Sequence, residues 1–430
     1  MSEPRLPEKL GDICYIKARI GWRGLSSAEY TEDGPYLIAG QHIRNGRIAW
    51  DKCDHISEQR YLESHEIILR SGDVIITKDG TIGRVARVDE LPGDATINGT
   101  MMLIRPLRRL DYRYLYHVLN GRGFQKLIDD KVSGSSIPHL FQRDMVELKV
   151  DLPTAAQQFK IAVVLDTLDA AIRGTEAVVA KLKAMKQGLL HDLLTRGIDA
   201  NGDLRPPHTE APHLYKETPL GWLPKEWDAR LLDDIAIRGS GHTPSKSVSS
   251  YWNGGIKWVS LADSHRLDQG YIHETDKEIS EAGLANSSAV RHSPDTVILS
   301  RDAGIGKSAI LASEMAVSQH FMAWRCSSKL NHIFLYYVLQ RAKPRFEAIA
   351  MGSTIKTIGL DFFKKYQIAT PPKPEQDRAA EILLQSEGDI VRNEQELQKL
   401  RATKSGLMDD LLTGRVPVTP LLEGEAAHGA

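Results

Sequence analysis

The sequence is short of cysteine, of net charge and of long apolar runs, and each shortage removes a class of protein. Cys14, Cys53 and Cys326 are three, an odd number, and lie far apart. They form neither a disulfide framework nor a zinc pattern, which fits a reducing, cytoplasmic setting. The 15 histidines show no metal spacing either, so no metal site is expected. Lys and Arg number 55 against 56 Asp and Glu, a net charge of −1, so no global basic field announces a nucleic-acid partner. Any such surface must be local or shared with another subunit. No apolar run reaches the length that spans a bilayer, and the opening MSEPRLPEKLGD lacks the apolar region of a signal peptide. A membrane role is not expected. At 430 residues, 41% of them hydrophobic and 26% charged, the chain suffices for two or more domains with full cores.

Catalytic signatures are missing too. There is no Asn-Pro-Pro-aromatic or Asp-Pro-Pro-aromatic tetrapeptide, no HExxH helix, no GxSxG elbow and no paired-acid layout. AGIGKS (303–308) looks like a phosphate-cradling loop, but the first glycine of a full P-loop would fall at Arg301. The corresponding DGTIGRV (79–85) has no Lys–Ser pair. A tight turn between strands is the preferred reading over an NTPase site, and nothing resembles a self-contained active site.

What the sequence does contain is a repeat. LKAMKQGLLHDLLT (182–195) lies over LRATKSGLMDDLLT (400–413) without gaps, at the offset of 218 that aligns Gly188 with Gly406. The same offset brings SGSSI (133–137) to MGSTI (351–355) and Pro153 to Pro371. Two related halves are implied. In the first copy Ile161, Leu165, Leu168, Ile172, Thr175, Val179, Leu182, Lys186, Leu189 and Leu193 are spaced alternately by four and three. That is a coiled-coil seam. The second copy holds the register with Ala379, Leu383, Ser386, Ile390, Asn393, Leu397, Leu400, Lys404, Leu407 and Leu411. Thr175 with Asn393, and Lys186 with Lys404, are polar seam positions of the kind that fix register and partner choice. A helix of some 40 residues is roughly 60 Å long and cannot bury its seam alone. The two helices are expected to pair antiparallel; the alternative is that each seam packs on its own domain or on another chain.

The expected fold class is α+β, with two pseudo-repeated strand-rich domains each followed by a long helix. Residues 1–153 read as the first domain, 154–197 as the first helix, 198–220 as a Pro- and Gly-rich linker, 221–371 as the second domain, 372–415 as the second helix and 416–430 as a frayed tail. DVIITKDGTIGRVARV parallels DTVILSRDAGIGKSAIL, and LDYRYLYHVLN parallels LNHIFLYYVLQ. The stretches 17–33 and 238–255 share little, so one frame carries different loops, as in two related readers with different targets.

Polar and basic residues in those loops, in the glycine turns and in SSIPHLFQRD (135–144) and STIKTIGLDF (353–362) are of the types that meet phosphates and base edges. The candidates are Lys17, Arg19, Arg23, Arg44, Lys78, Arg84, Ser135, Ser136, His139 and Gln142 in the first half. In the second they are Thr243, Ser245, Lys246, His265, Arg266, Arg301, Lys307, Thr354, Lys356 and Thr357. Ordinary surface loops, turns and helix caps use the same residue types. His320, in SQHFMAW (318–324), suits a core hydrogen bond as well as a base contact.

DLPTAAQQFKIAVVLDTLD (151–169) with KLKAMKQGLLHDLLTRG (181–197), and ATPPKPEQDRAAEIL (369–383) with KLRATKSGLMDDLLTGRV (399–416), resemble the specificity subunit of type I restriction–modification systems. GWLPKEWDARLLDDIA (221–236) is similar to the usual start of a target-recognition domain. Ala156–Gln157–Gln158 departs from the pattern by lacking the acidic residue of Glu375–Gln376–Asp377, which leaves a role for that carboxylate in doubt. The resemblance implies a non-catalytic chain without cofactors of its own. Each head would read half of a split double-stranded DNA site. The helices would set the gap and dock modification subunits, which bind S-adenosylmethionine, and restriction subunits, which use ATP and Mg, would join the complex. A coiled-coil scaffold without sequence reading, or a nuclease or NTPase with an unrecognised site, are the alternatives.

Overall fold

Short runs of Val, Ile and aromatic residues become short strands because such side chains suit a buried, pleated surface. The computed structural model describes residues 7–18, 27–107, 109–133, 138–350 and 357–418. Its contacts divide the chain into two units, 1–177 with 395–430, and 178–394.

The first unit holds β1 (Pro7–Lys9), β2 (Cys14–Ala18), β3 (Thr31–Ile38), β4 (Asp54–His55), β5 (Val74–Thr77), β6 (Val85–Arg87), β7 (Ala95–Ile97) and β8 (Met101–Pro106). Helices α1 (Tyr112–Val118), α2 (Arg122–Ser133) and α3 (Gln142–Val146) follow, then β9 (Lys149–Asp151) and the long α4 (Ala155–Leu193), which belongs to this unit up to residue 177 and to the second unit beyond it. An antiparallel sheet runs β2-β8-β5-β6, with Ile104 opposite both Ile16 and Val74. A second sheet runs β4-β3-β7, with β3 parallel to β7, and β1 pairs with β9. Alternate residues of the central strands feed two cores. Val74, Ile76, Met102 and Ile104 pack beneath Tyr114, Leu115 and Phe124, whereas Ile75, Met101 and Leu103 join Ile38 and Ile97. Burial on both faces explains why these strands read as continuous apolar runs.

The second unit repeats the plan with β10 (Asp228–Leu231), β11 (Ala236–Ser240), β12 (Trp252–Val259), β13 (Tyr271–Ile272), β14 (Glu278–Ile279), β15 (Val297–Ser300), β16 (Ser308–Leu311), β17 (Met315–Val317), β18 (Phe321–Cys326) and helix α5 (His332–Ile349). Then come β19 (Gln367–Thr370) and the long α6 (Lys373–Leu412), whose residues from 395 on belong to the first unit. The order β11-β18-β15-β16 matches that of the first unit, β12 is parallel to β17, and β10 pairs with β19. Asp111 and Asn331 cap α1 and α5 in the same way, each accepting from two backbone amides. The second unit differs by adding β13 in parallel to β16. Within 198–220, expected to be linker, the strand Tyr215–Thr218 pairs with Gly221–Pro224.

The long helices pack against each other, and in each unit they do so antiparallel. In the first unit Lys404 reaches Asp169 at 2.6 Å and Arg401 reaches Glu176 at 2.7 Å. In the second, Lys183 meets Glu394 at 2.7 Å and Lys186 meets Glu387 at 3.2 Å. None of the 20 seam positions read from the spacing is exposed; Leu165, Ile172, Val179, Leu193, Leu383, Ile390 and Leu411 are buried, and Leu182, Leu189, Leu397, Leu400 and Leu407 half-buried. The polar seam residues divide in role. Lys186 and Lys404 make the ion pairs, whereas Thr175 and Asn393, expected to fix register, bond back to Ala171 O (2.9 Å) and Asp389 O (2.8 Å) of their own helices.

A buried glutamine anchors each helix to its head. Gln158 accepts from Asp111 N (2.8 Å) and donates to Arg109 O (3.0 Å) and Pro153 O (2.9 Å). Gln376 accepts from Asn331 N (2.9 Å) and donates to Lys329 O (3.0 Å) and Pro371 O (2.8 Å). Only a side-chain amide can serve one donor and two acceptors here. The carboxylate left in doubt by sequence also has a use. Glu375 takes Arg205 in a fork at 2.5 and 3.1 Å, Trp227 Nε1 at 3.1 Å and Ile198 N at 2.9 Å. It clasps the segment that precedes the second head, and the equivalent Gln157 instead accepts from Thr154 N at 3.1 Å as part of a helix cap.

Candidate nucleic-acid interface

Each head has a glycine turn that must double back between two buried strands, 78–84 between β5 and β6 and 301–307 between β15 and β16. Gly80, Gly83, Gly304 and Gly306 have φ between 71° and 83°, a region that penalises any Cβ-bearing residue. The same backbone bonds hold both turns. Lys78 N donates to Thr100 O (2.8 Å) and Leu140 N donates to Lys78 O (2.9 Å); Arg301 N donates to His320 O and Ile358 N to Arg301 O, each at 2.9 Å. The turn, the entry to the following strand and the segment before the long helix are thereby fastened together in each head.

One carboxylate then organises the side chains. Asp79 takes the Lys78 ammonium at 2.9 Å and the His139 ring. Asp302 takes His320 Nδ1 at 2.5 Å and the Thr357 hydroxyl. His139 and Thr357 are equivalent under the 218 offset, so the two clusters share a frame and differ in what it carries. In the second head Thr243 donates to Gln319 Oε1 at 2.5 Å, and Gln319 lies 3.4 Å from His320 Nε2, which extends the network to the loop after β11. In the first, Gln142 Oε1 accepts from Ala18 N (3.2 Å) at the end of β2, next to Lys17.

Of the sequence candidates, Lys78, His139, Gln142, Thr243, Arg301 and Thr357 converge here. Lys78 is 9% exposed and turned to Asp79, so it fixes the turn and does not project from it. Arg84 sits exposed at the end of its turn with Nη1 on Gly40 O (3.3 Å). Lys307 bonds Ser264 O and Oγ at 3.0 Å, which makes AGIGKS a braced tight turn. Other candidates lie elsewhere. Arg266 pairs with Asp263 (3.0 Å) and Asp276, His265 Nδ1 is 3.1 Å from Ala262 O, and Ser245 Oγ is 2.8 Å from Ser247 Oγ. Arg44 and Lys246 are exposed on a hairpin and a loop. Arg19, Arg23, Ser135, Ser136, Thr354 and Lys356 fall outside the described residues. Sequence reading passed over Asp79 and Asp302; their recurrence in KDG and RDA was the available signal.

His117, Asp166 and Asp169 bring ligand-type atoms within 4.8 Å of one another. The Arg87 guanidinium lies 2.6 Å from Asp166 and Lys404 lies 2.6 Å from Asp169, so both carboxylates are already met by cations and the donor set does not fit a metal. Burial pulls the His117 imidazole below its ordinary value. Burial alone would raise Asp166, but hydrogen bonding to His117 and the charge of Arg87 hold it below the usual carboxylate range. Burial also pushes the thiols of Cys14, Cys53 and Cys326 up to about 12, which makes them unreactive at neutral pH.

Residues 7–184 and 224–402 each match the Type I restriction modification DNA specificity domain. The chain is 21% identical over 408 residues to the putative type I restriction enzyme MjaX specificity subunit of Methanocaldococcus jannaschii, covering 92% of this chain and 90% of that one. It is 22% identical to the MjaVIII specificity subunit of the same organism, covering 97% and 95%. A shorter likeness, 27% over 188 residues, covers 43% of this chain and 43% of the MjaIX specificity subunit. The type I restriction–modification S subunit from M. genitalium shares the fold, with a TM-score of 0.58, 15% identity and coverage of 95% of this chain and 96% of that one. With two copies of the domain spanning most of its length, the chain belongs to the type I restriction–modification specificity subunits, a non-catalytic family.

Proposed function

We propose that this chain reads a bipartite site on double-stranded DNA, one half with each head, and that the paired helices set the gap and dock modification subunits. The observation that carries the reading is the duplicated turn cluster. Three segments are fastened by the same backbone bonds in both heads, yet they present His139 in one and Thr357 with His320 in the other. A shared frame with different polar groups is what two readers of different half-sites require. A helix of 39 or 40 residues runs about 60 Å, more than one DNA helical turn of about 34 Å. Near-zero net charge fits a subunit whose salt-dependent phosphate contacts are shared with partners. S-adenosylmethionine would be held by the modification subunits, and ATP and Mg by restriction subunits joining the same complex. No described helix is long and apolar enough to cross a membrane, and we place the complex in the cytoplasm. Exchange of 221–371 for the second head of a relative tests the reading. One half of the methylated motif should change while the other half and the gap stay. A change in both halves, or in neither, would contradict it.

A further inference from the structure

The segment that carries His139 also presents an aromatic ring to solvent. Phe141 is 44% exposed. Its backbone is fixed, because its amide donates to Asp144 Oδ2 at 2.9 Å and its carbonyl accepts from Asp144 N at 3.0 Å. The other Asp144 oxygen holds Lys131 at 2.9 Å. Around the ring stand the His139 imidazole, with centroids 4.3 Å apart, the Arg143 guanidinium at 4.6 Å and the Lys131 ammonium at 5.9 Å. An apolar group is thus held still among cations, one residue beyond Leu140, whose amide is fastened to the glycine turn. The equivalent residue of the second head is Gly359, which has no side chain to offer.

We infer that Phe141 is a specificity-determining residue of the first head, contacting the 5-methyl group of a thymine in the major groove while Arg143 lies along the flanking phosphates. The inference rests on the DNA-reading function proposed above. A closed duplex offers a protein few apolar targets, and the thymine methyl is the one that distinguishes a base pair; phenylalanine is among the side chains that meet it. The Arg143 guanidinium beside the ring can meet a phosphate while the ring faces the base. The second head, with Gly359, cannot make this contact, so the thymine belongs to one half-site only.

The test uses the full chain assembled with its modification subunits, on duplexes carrying the bipartite motif found by methylation mapping. Each thymine is replaced singly by deoxyuridine, which lacks the methyl. One thymine, confined to one half-site, should show about a fourfold loss of affinity on replacement, the factor that burial of one methyl-sized group supplies. Phe141→Ala should lose a similar factor on the thymine duplex and nothing further on that deoxyuridine duplex, while Phe141→Leu keeps most of the discrimination. Arg143→Ala should weaken both duplexes equally and reduce the slope of log affinity against log salt by about one. The inference is overturned if Phe141→Ala binds like the parent, or loses the same factor on every duplex; in the second case brighter 2-aminopurine fluorescence would mark a wedge between bases. Absence of any sequence preference in the parent complex would overturn the DNA-reading function itself, and this inference with it.

Discussion

Lys404 closes on Asp169 across the seam of the first unit at 2.6 Å, and the residues equivalent to them under the 218 offset, Lys186 and Glu387, close on each other in the second at 3.2 Å. The same bond is therefore made twice, with lysine on opposite helices. In the second unit Tyr337 adds a hydrogen bond to Glu387 at 2.6 Å and the Lys186 ammonium lies 5.7 Å from its ring centre. These pairs are partly buried, and removal of one member leaves its partner without a counter-charge. Lys404→Met is expected to destabilise by about 1–3 kcal/mol, between the exposed and buried cases. Pairing it with Asp169→Leu should recover most of the loss in urea unfolding. No recovery in the double variant would show that the charges matter for some other reason.

Gln158 and Gln376 each satisfy three backbone groups with one amide, so replacement by Glu should do more harm than its shape suggests. A carboxylate still accepts from Asp111 N or Asn331 N, but it cannot donate to the two carbonyls it then faces. Gln158→Glu and Gln376→Glu are each expected to cost about 2–4 kcal/mol, since unsatisfied buried groups carry the full desolvation penalty. Hydrogen exchange should localise the loss to the start of the long helix concerned. Protection unchanged there would mean the anchor is redundant.

Glu375→Gln should release the clasp on Arg205. The neutral amide loses the forked ion pair and cannot accept from Arg205, Trp227 and Ile198 at once. Trp227 is fully buried and its indole nitrogen bonds this carboxylate. Its fluorescence should shift and its accessibility to quenchers rise, with about 2–4 kcal/mol lost. Unaltered emission would contradict the clasp.

Acid should act on the first unit through His117. Its folded value lies below the ordinary 6.5 because of burial. The unfolded chain therefore binds a proton first, and stability present above pH 6.5 declines as the pH falls toward the folded value. Asp166 is shifted down from 3.8, so its contribution holds above that value and is lost only in stronger acid. The thermal midpoint should fall as the pH drops below 6.5, and His117→Asn, which keeps a donor for Asp166, should flatten that fall. An identical slope in the variant would remove His117 from the explanation.

Much of this was legible because it follows from local periodicity. The seam appeared as alternating spacings of four and three from Ile161 to Leu193 and from Ala379 to Leu411, and every one of those positions is withdrawn from solvent. The paired strands of the two heads appeared as matching apolar runs. What stayed hidden depends on contacts distant in sequence. Glu375 and Arg205 are 170 residues apart, and nothing near either reveals the other. Residues 198–220 lack periodicity because they make a single hairpin strand and a clasped loop. Asp79 and Asp302 were overshadowed by the basic residues beside them, since a search for DNA contacts favours positive charge. A helical wheel places Thr175 and Asn393 on the seam, but it does not show that each also bonds its own helix.

The most direct test of the proposed function is methylation mapping of genomic DNA from cells with a type I modification subunit, with and without this chain. A methylated bipartite motif with a fixed gap, present only when the chain is present, is the expected result. Methylation at an unsplit motif, or a demonstrated complex with no new motif, would contradict the assignment of one half-site to each head.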